Sequence, residues 1–330
     1  MDEGLSLTAL RARIVRACGV EGCPGLPAAA QLELLSGLLQ RATRKEWPAM
    51  LTVWAAQAAG QPTALTLDAA AAWFALYLCA RILDDLQDGD SLLLGPEVPT
   101  AQALNLAVGL LFAAQRCLSE GQDGVRERLR MLLLSAQVGL CAVAAQVAPA
   151  AGLEGAWAVA RAKGGGPYGL AARLGAISVG AESAVEEGLA AFGAALGEAL
   201  QAIDDALGVL HREAADLAPG NCSLAVAYGL AVAEGAEREA LVDGLARHSQ
   251  GEGEVAEEVF GLLETLGAPE YLGVAAQAAL QRALAALAPI SEQLRSEGRE
   301  RLLQQVRSLI TLPAGCPPAP GRPGGGSASG

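Results

Sequence analysis

The chain reads as all-α, a single-domain helical bundle, on three observations. Ala and Leu dominate an apolar fraction of 52%, while aromatic residues make up only 4%. That balance favours helices, because strands draw on β-branched and aromatic side chains. Apolar runs of helical length recur along the body, separated by short breaks bearing Gly or Pro. No fixed-period repeat and no composition shift divides the body, so the 330 residues are read as one domain with ample core.

Residues 1–27 hold a short amphipathic helix and a Gly/Pro-rich turn, Gly19 to Pro27, ahead of a helical domain over 28–311. Helices are expected at about 28–42 and 48–59, with Pro48 suited to a helix start. The run from Thr66 to Leu83 has only Asp68 and Arg81 as charges, which predicts a buried helix capped by Thr66 and ended by Gly89. Apolar helices follow at 100–119 and 125–148, with a shorter one at 154–162. Lys163-Gly164-Gly165-Gly166-Pro167-Tyr168 is expected to interrupt this regularity, either as a flexible break or as backbone N–H groups free to approach an anion. Helix resumes to about 179, and Ser183 with Glu186 forms a capping box for a helix of nearly thirty residues, through Gln201, Asp204 and Asp205 to His211. Helices at 221–232, 235–247, 253–265, 269–288 and 290–310 complete the body. The Pro/Gly/Ser tail, 312–330, is expected to be disordered.

A net charge of -13 without any basic stripe argues against nucleic acid as a partner. The seven cysteines are scattered, without CxxC pairs, and read as reduced, mostly buried small hydrophobes in a cytoplasmic protein. The N-terminus lacks the basic-then-apolar order of a signal peptide. Met131 to Leu153 carries no charge and is long enough to span a bilayer, but its Ala, Gly, Gln137, Gln146 and Pro149 favour the central helix of a soluble bundle.

The chemistry is expected at Arg81-Ile82-Leu83-Asp84-Asp85-Leu86-Gln87-Asp88-Gly89-Asp90, where acids crowd a helix end. Asp84 and Asp88, four apart, share a face, while Asp85 lies four after Arg81, which can neutralise it. Like charges about 5 Å apart repel by about 3 kcal/mol at an effective dielectric of about 20, and the C-terminal end of a helix dipole adds to the cost. A cation therefore belongs there, and hard oxygen ligands at this spacing suit Mg2+. The plainer reading is a solvated acidic helix end. In the second long helix Gln201, Asp204 and Gly208 share a face, with Asp205 beside them. Two helices ending in facing acids can hold several Mg2+ ions around a diphosphate.

These motifs resemble, in order and spacing, the trans-isoprenyl diphosphate synthases, or polyprenyl synthetases, of the class I isoprenoid synthase superfamily. The likeness covers roughly residues 40–232. Thr43-Arg44-Lys45-Glu46-Trp47-Pro48 is similar to GKRxRP, and Asp84 to Asp88 matches DDxxD. Lys163 to Ala176 is similar to KTxxL…LGA, Gln201 to Asp205 matches QxxDD, and Asp216 to Leu224 resembles DLxxGKxTL.

The resemblance implies an isoprenoid-synthase bundle around a deep central pocket, a homodimer, and Mg2+ bridging the acids to an allylic prenyl diphosphate. Carried over, Asp84 and Asp88 hold two metals and Asp204 a third, while Lys163 and Gln201 contact the diphosphate, with Asp205 beside them. Arg44 and Lys45 are the remaining cations for isopentenyl diphosphate, the homoallylic partner. The departures fall mainly on that partner's side: Trp47, Leu92 to Leu94 and Asn221 replace cations, Gly164 replaces threonine, and Gly208 replaces the third acid of the second motif. Cys79 and Ala80, small where large residues would close the pocket floor, imply room for about C20 or longer. Tight helix packing is the other account of those two residues. The leading expectation is a prenyltransferase of the polyprenyl diphosphate synthase type. A terpene-synthase-like lyase working without isopentenyl diphosphate is the alternative, faintly supported by Asp204-Asp205…Gly208…Glu213, in which Glu213 is one residue too far. A non-catalytic partner subunit is the alternative from another class.

Overall fold

The computed structural model describes residues 5–19, 28–44, 46–87, 93–121, 123–147, 152–218, 221 and 223–310, the side chains of 28–31 excepted. The described residues form helices joined by turns, with no strand among them. They run α1 (Leu7–Ala17), α2 (Ala28–Ala42), α3 (Glu46–Ala59), α4 (Ala64–Gln87), α5 (Thr100–Ser119), α6 (Val125–Val147), α7 (Gly152–Ala160), α8 (Gly166–Ser178), α9 (Ser183–His211), α10 (Leu224–Val232), α11 (Gly235–Ser249), α12 (Val255–Thr265), α13 (Ala268–Leu287) and α14 (Ser296–Ile310). The expected tail and most of the Gly19 to Pro27 turn lie outside the described residues.

Two apolar clusters form the interior. The larger joins α1 to α5 with α8, the first half of α9, the second half of α13 and α14. The smaller joins the second half of α9 to α7, α10, α11, α12 and the start of α13. Thus α9 and α13, side by side, run through both. Trp73, Phe74, Phe192 and Phe260 are fully buried, each contributing roughly 1.5–3 kcal/mol by burial. Buried ion pairs fix the periphery. Asp68 takes Arg13 at 2.6 Å and Arg128 at 2.7 Å, tying α1 and α6 to α4.

Four local expectations are corrected by tertiary contacts. Thr66 is not the cap of α4: it lies inside the first turn, accepts the Thr63 N–H at 3.0 Å and pairs with the Ser178 hydroxyl at 2.9 Å. Ser183 and Glu186 do not form a capping box. Glu182 is the N-cap, without a side-chain bond, and the Glu186 carboxylate is drawn to Arg130 at 2.6 and 2.7 Å and to Arg173 at 2.7 Å. The last helix begins only at Ser296, because Arg295 donates its N–H to Ala58 O at 2.8 Å and Gly298 packs on the Ala58 backbone.

The triple glycine is the largest correction, since Arg161–Gly165 form a π-turn that passes directly into α8. These glycines are helical and bring two backbones together. A Cβ at Gly164 would lie 2.8 Å from Gly197 O, and one at Gly169 3.1 Å from Ala190 O. Gly193 and Gly197 leave matching room for the carbonyls of Tyr168 and Gly164. Glycine at 164 is therefore required by the close approach of α9.

Three described helices, α4, α5 and α6, are long and apolar enough to cross a membrane by length and composition. α4 spends that surface in the core. α6 does not, for only 11% of its apolar window is buried, so it is a peripheral helix and not the expected central one. Leu129, Leu133, Leu140 and Val143 of α6 are exposed, as are Val108, Leu111 and Phe112 of α5. Of the described cysteines, Cys79 and Cys117 are buried, Cys18 is half-buried and Cys141, on α6, is exposed; all four are free.

Candidate active site

The C-terminal end of α4 carries the first acids. Arg81, one turn before them, reaches Asp84 at 3.5 Å and Asp85 at 3.6 Å. Asp85 is buried and accepts the Leu93 N–H at 2.8 Å, so it secures the segment that follows the motif. Arg41, at the end of α2, holds the same segment from the other side by donating to the carbonyls of Leu93 and Leu94 at 2.7 and 3.2 Å. Asp84 remains on the open side, where Lys163 Nζ comes to 3.0 Å. Lys163 sits in the π-turn, a local distortion of the helix that is frequent at functional positions. Asp88 and Lys45 lie outside the described residues.

On α9, Asp204 is exposed, whereas Asp205 is only 7% exposed. Asp205 accepts the Leu224 N–H at 2.6 Å and the Gln201 amide at 2.7 Å. Burial pushes its carboxyl up to about 7, against the pull of those two hydrogen bonds. Asp205 thus anchors the start of α10, and Gln201 is its partner. Asp204 faces the other way, into the field of Arg81. The Arg81 guanidinium is held above its ordinary range: burial opposes the charge, but Tyr77, Asp84, Asp85 and Asp204 together outweigh it. Asp84 and Asp204, 120 positions apart in sequence, therefore address one cation.

Arg81 is 40% exposed and yet desolvated, which places it in a concave recess rather than on a convex surface. Aromatic rings adjoin that recess. Tyr168 stacks on Trp47 at 5.7 Å between centroids and meets Trp73 at 5.8 Å and Tyr77 at 6.3 Å, while Trp73 Nε1 donates to Pro167 O at 2.7 Å. Burial, with Tyr77 adding, pushes the Tyr168 hydroxyl well above its ordinary value. Cys79 is buried and Ala80 exposed, so the two small residues do not share one wall. Arg44 is exposed in the turn between α2 and α3. Two cavities of about 270 and 190 Å3 lie elsewhere, the first beside Val179 and Glu182, the second between α6, α8 and α9.

Among the described residues no three His, Cys, Asp or Glu side chains gather closely enough to hold a metal by themselves. Instead, acids from two helices surround side-chain cations. Hard oxygen donors of this kind suit a hard divalent cation, which would compete with Arg81 and Lys163 for Asp84.

A sequence profile of the polyprenyl synthetase family matches residues 38–263. The chain belongs to that family. Its membership identifies a prenyltransferase. No curated protein matches. Among solved structures, the fold is similar to polyprenyl synthase from Caulobacter crescentus CB15 complexed with calcium and isoprenyl diphosphate, at 20% identity over 93% of this chain and 94% of that one, TM-score 0.73. It is similar also to geranylgeranyl pyrophosphate synthase from Lactobacillus brevis, at 19% identity, 92% and 95% coverage and TM-score 0.73. The enzyme of that name from Corynebacterium glutamicum, complexed with isoprenyl diphosphate and magnesium, shares 19% identity over 94% and 99%, TM-score 0.71.

Within this polyprenyl synthetase the departures from the family pattern acquire physical reasons. Gly164 lets α9 approach, Trp47 stacks on Tyr168, and Asn221 donates to Ala215 O at 3.2 Å to close a turn. Sequence reasoning did not single out Tyr77, Tyr168 or Arg41. Only Tyr77 left a usable signal, lying one turn before Arg81 and two before Asp84.

Proposed function

We propose that this prenyltransferase ionises an allylic prenyl diphosphate with Mg2+ and extends it with isopentenyl diphosphate. The observation that carries the reading is the convergence on Asp84 of Arg81 and Lys163, from separate elements, with Asp204 addressing the same guanidinium. Asp84 and Asp88 would hold two Mg2+ ions and Asp204 a third. Bound there, the metal would stabilise the charge that builds on the departing diphosphate. Lys163 is placed to exchange its Asp84 contact for a diphosphate oxygen. Arg81 offsets the repulsion between the acids. The aromatic rings below exclude water from the allylic cation, and their faces are themselves attractive to positive charge. Exposed Ala80 and half-buried Leu76 favour a substrate of about C20 or longer.

The exposed apolar faces of α5 and α6 support a homodimer in which those helices pair, since apolar surface of this extent marks an interaction site. Free cysteines support a cytoplasmic protein. For isopentenyl diphosphate, the cations are Arg44, exposed between α2 and α3, and Lys45, next to it in sequence. A second reading, ionisation without elongation, is favoured by Trp47, whose ring is engaged with Tyr168 where the family carries arginine.

The test is incubation with Mg2+ and geranyl, farnesyl or geranylgeranyl diphosphate, each with and without isopentenyl diphosphate, with products read by mass spectrometry. A longer diphosphate that needs the five-carbon partner is the expected result. A hydrocarbon or alcohol formed without that partner selects the second reading, and no product in any tube rejects both.

A further inference from the structure

Arg81 lies at a boundary within the recess. One turn further along α4 are Asp84 and Asp85, and one turn back is Tyr77, which adds to the field on the guanidinium. The Tyr168 hydroxyl, hydrogen-bonded to Tyr77, senses both Arg81 and Asp204. The guanidinium therefore stands between the acids and the aromatic rings, where the polar head of an amphiphilic substrate would meet its apolar tail.

Its contacts differ from those of the arginines that hold the fold together. Arg13 and Arg128 meet Asp68 at 2.6 and 2.7 Å, Arg130 meets Glu186 at 2.6 Å and Arg212 meets Glu264 at 2.6 Å. Arg81 stays 3.5 Å from Asp84 and 3.6 Å from Asp85, beyond the about 2.7–2.9 Å of a charge-assisted hydrogen bond. Both acids have closer partners, Lys163 at 3.0 Å for Asp84 and the Leu93 N–H at 2.8 Å for Asp85. Arg81 thus balances charge without being forked onto either carboxylate. The planar guanidinium fork matches the oxygens of a phosphate. Asp84 cannot serve Arg81, Lys163 and a divalent cation together, and a desolvated guanidinium left without an anion is costly. A diphosphate arriving with the cation supplies that anion.

Resting on the magnesium–diphosphate reading above, we infer that Arg81 is a substrate-binding residue, whose guanidinium donates directly to oxygens of the allylic diphosphate. The charge that offsets the acids before substrate arrives is the one that grips the substrate afterwards.

Calorimetric titration of inorganic diphosphate into the full chain at saturating Mg2+ tests this. Arg81→Gln should weaken diphosphate binding by about tenfold or more. Arg81→Gln combined with Asp85→Asn also removes one of the acids that Arg81 balances, while leaving an acceptor for the Leu93 N–H. The melting temperature of this double variant should return towards that of the parent, and its diphosphate affinity should stay as low as that of the single variant. Parental affinity in a folded Arg81→Gln overturns the inference. So does parental affinity in the double variant, because Arg81 then serves only to offset the acids. Should Arg81→Gln not fold, the double variant decides alone. Binding lost in Asp84→Ala but kept in Arg81→Gln rejects only this inference. Binding lost in Arg81→Gln but unchanged in Asp84→Ala upholds Arg81 as a diphosphate ligand and rejects the metal at Asp84. No diphosphate uptake by the parent rejects the magnesium–diphosphate reading and this inference together.

Discussion

The ends of α4 and α9 carry the same short pattern, Arg81-Ile82-Leu83-Asp84-Asp85 and Gln201-Ala202-Ile203-Asp204-Asp205, and the fold uses the two in parallel ways. In each, the second aspartate turns inward and accepts a backbone N–H from the segment that follows, Leu93 for Asp85 and Leu224 for Asp205. In each, the first aspartate turns to the recess. The difference lies four residues before the inward acid. Both acids are buried, but Asp85 has a guanidinium there, whereas Asp205 has an amide, and burial pushes the Asp205 carboxyl up to about 7. One position thus decides whether an inward acid is an ion-pair partner or mainly a hydrogen-bond acceptor. It also explains why the charge that both outward acids address resides on α4.

The largest expected effect lies at the outward acids. Asp84→Ala should lower diphosphate release from an allylic substrate by about 10²–10³-fold, and unchanged turnover would sink the assignment. Next is the contact that brings α9 to Lys163. Gly197→Ala forces a methyl group against Gly164 O and should cost about 2–3 kcal/mol in urea denaturation; a parental midpoint would show that the helices separate freely. At the inward acids, Asp205→Ala strands the Leu224 N–H and should cost about 1–3 kcal/mol. Asp205→Asn keeps an acceptor and should cost less, so equal losses would break the contrast drawn above. The smallest effect is expected at Arg41, where Arg41→Ala frees two carbonyls and should cost about 1 kcal/mol. Protection of the Leu93 amide, followed by hydrogen exchange, should fall with it.

Much of this was legible in the residues themselves. The all-helical fold followed from Ala/Leu periodicity, and most helix ends fell within two residues of expectation, since those ends are marked by local breaks. The pairing of Asp85 with Arg81 followed from helical spacing, while the face that Asp84 shares with Asp88 runs outside the described residues. Less visible were the fates of groups whose partners lie far off in sequence. Glu186 read as a capping residue because Arg130 and Arg173 cannot be foreseen from its neighbours. The glycines of 164–166 read as a break because the opposing glycines of α9 lie some thirty residues on.

By itself, then, the sequence determined which segments are helical and which acids share a turn, because both depend on residues within one or two turns of each other. Only the tertiary structure decided which acid faces inward, how closely α8 and α9 approach, and that α6 remains peripheral. Those outcomes depend on burial and on backbones meeting across the fold, which no local spacing encodes.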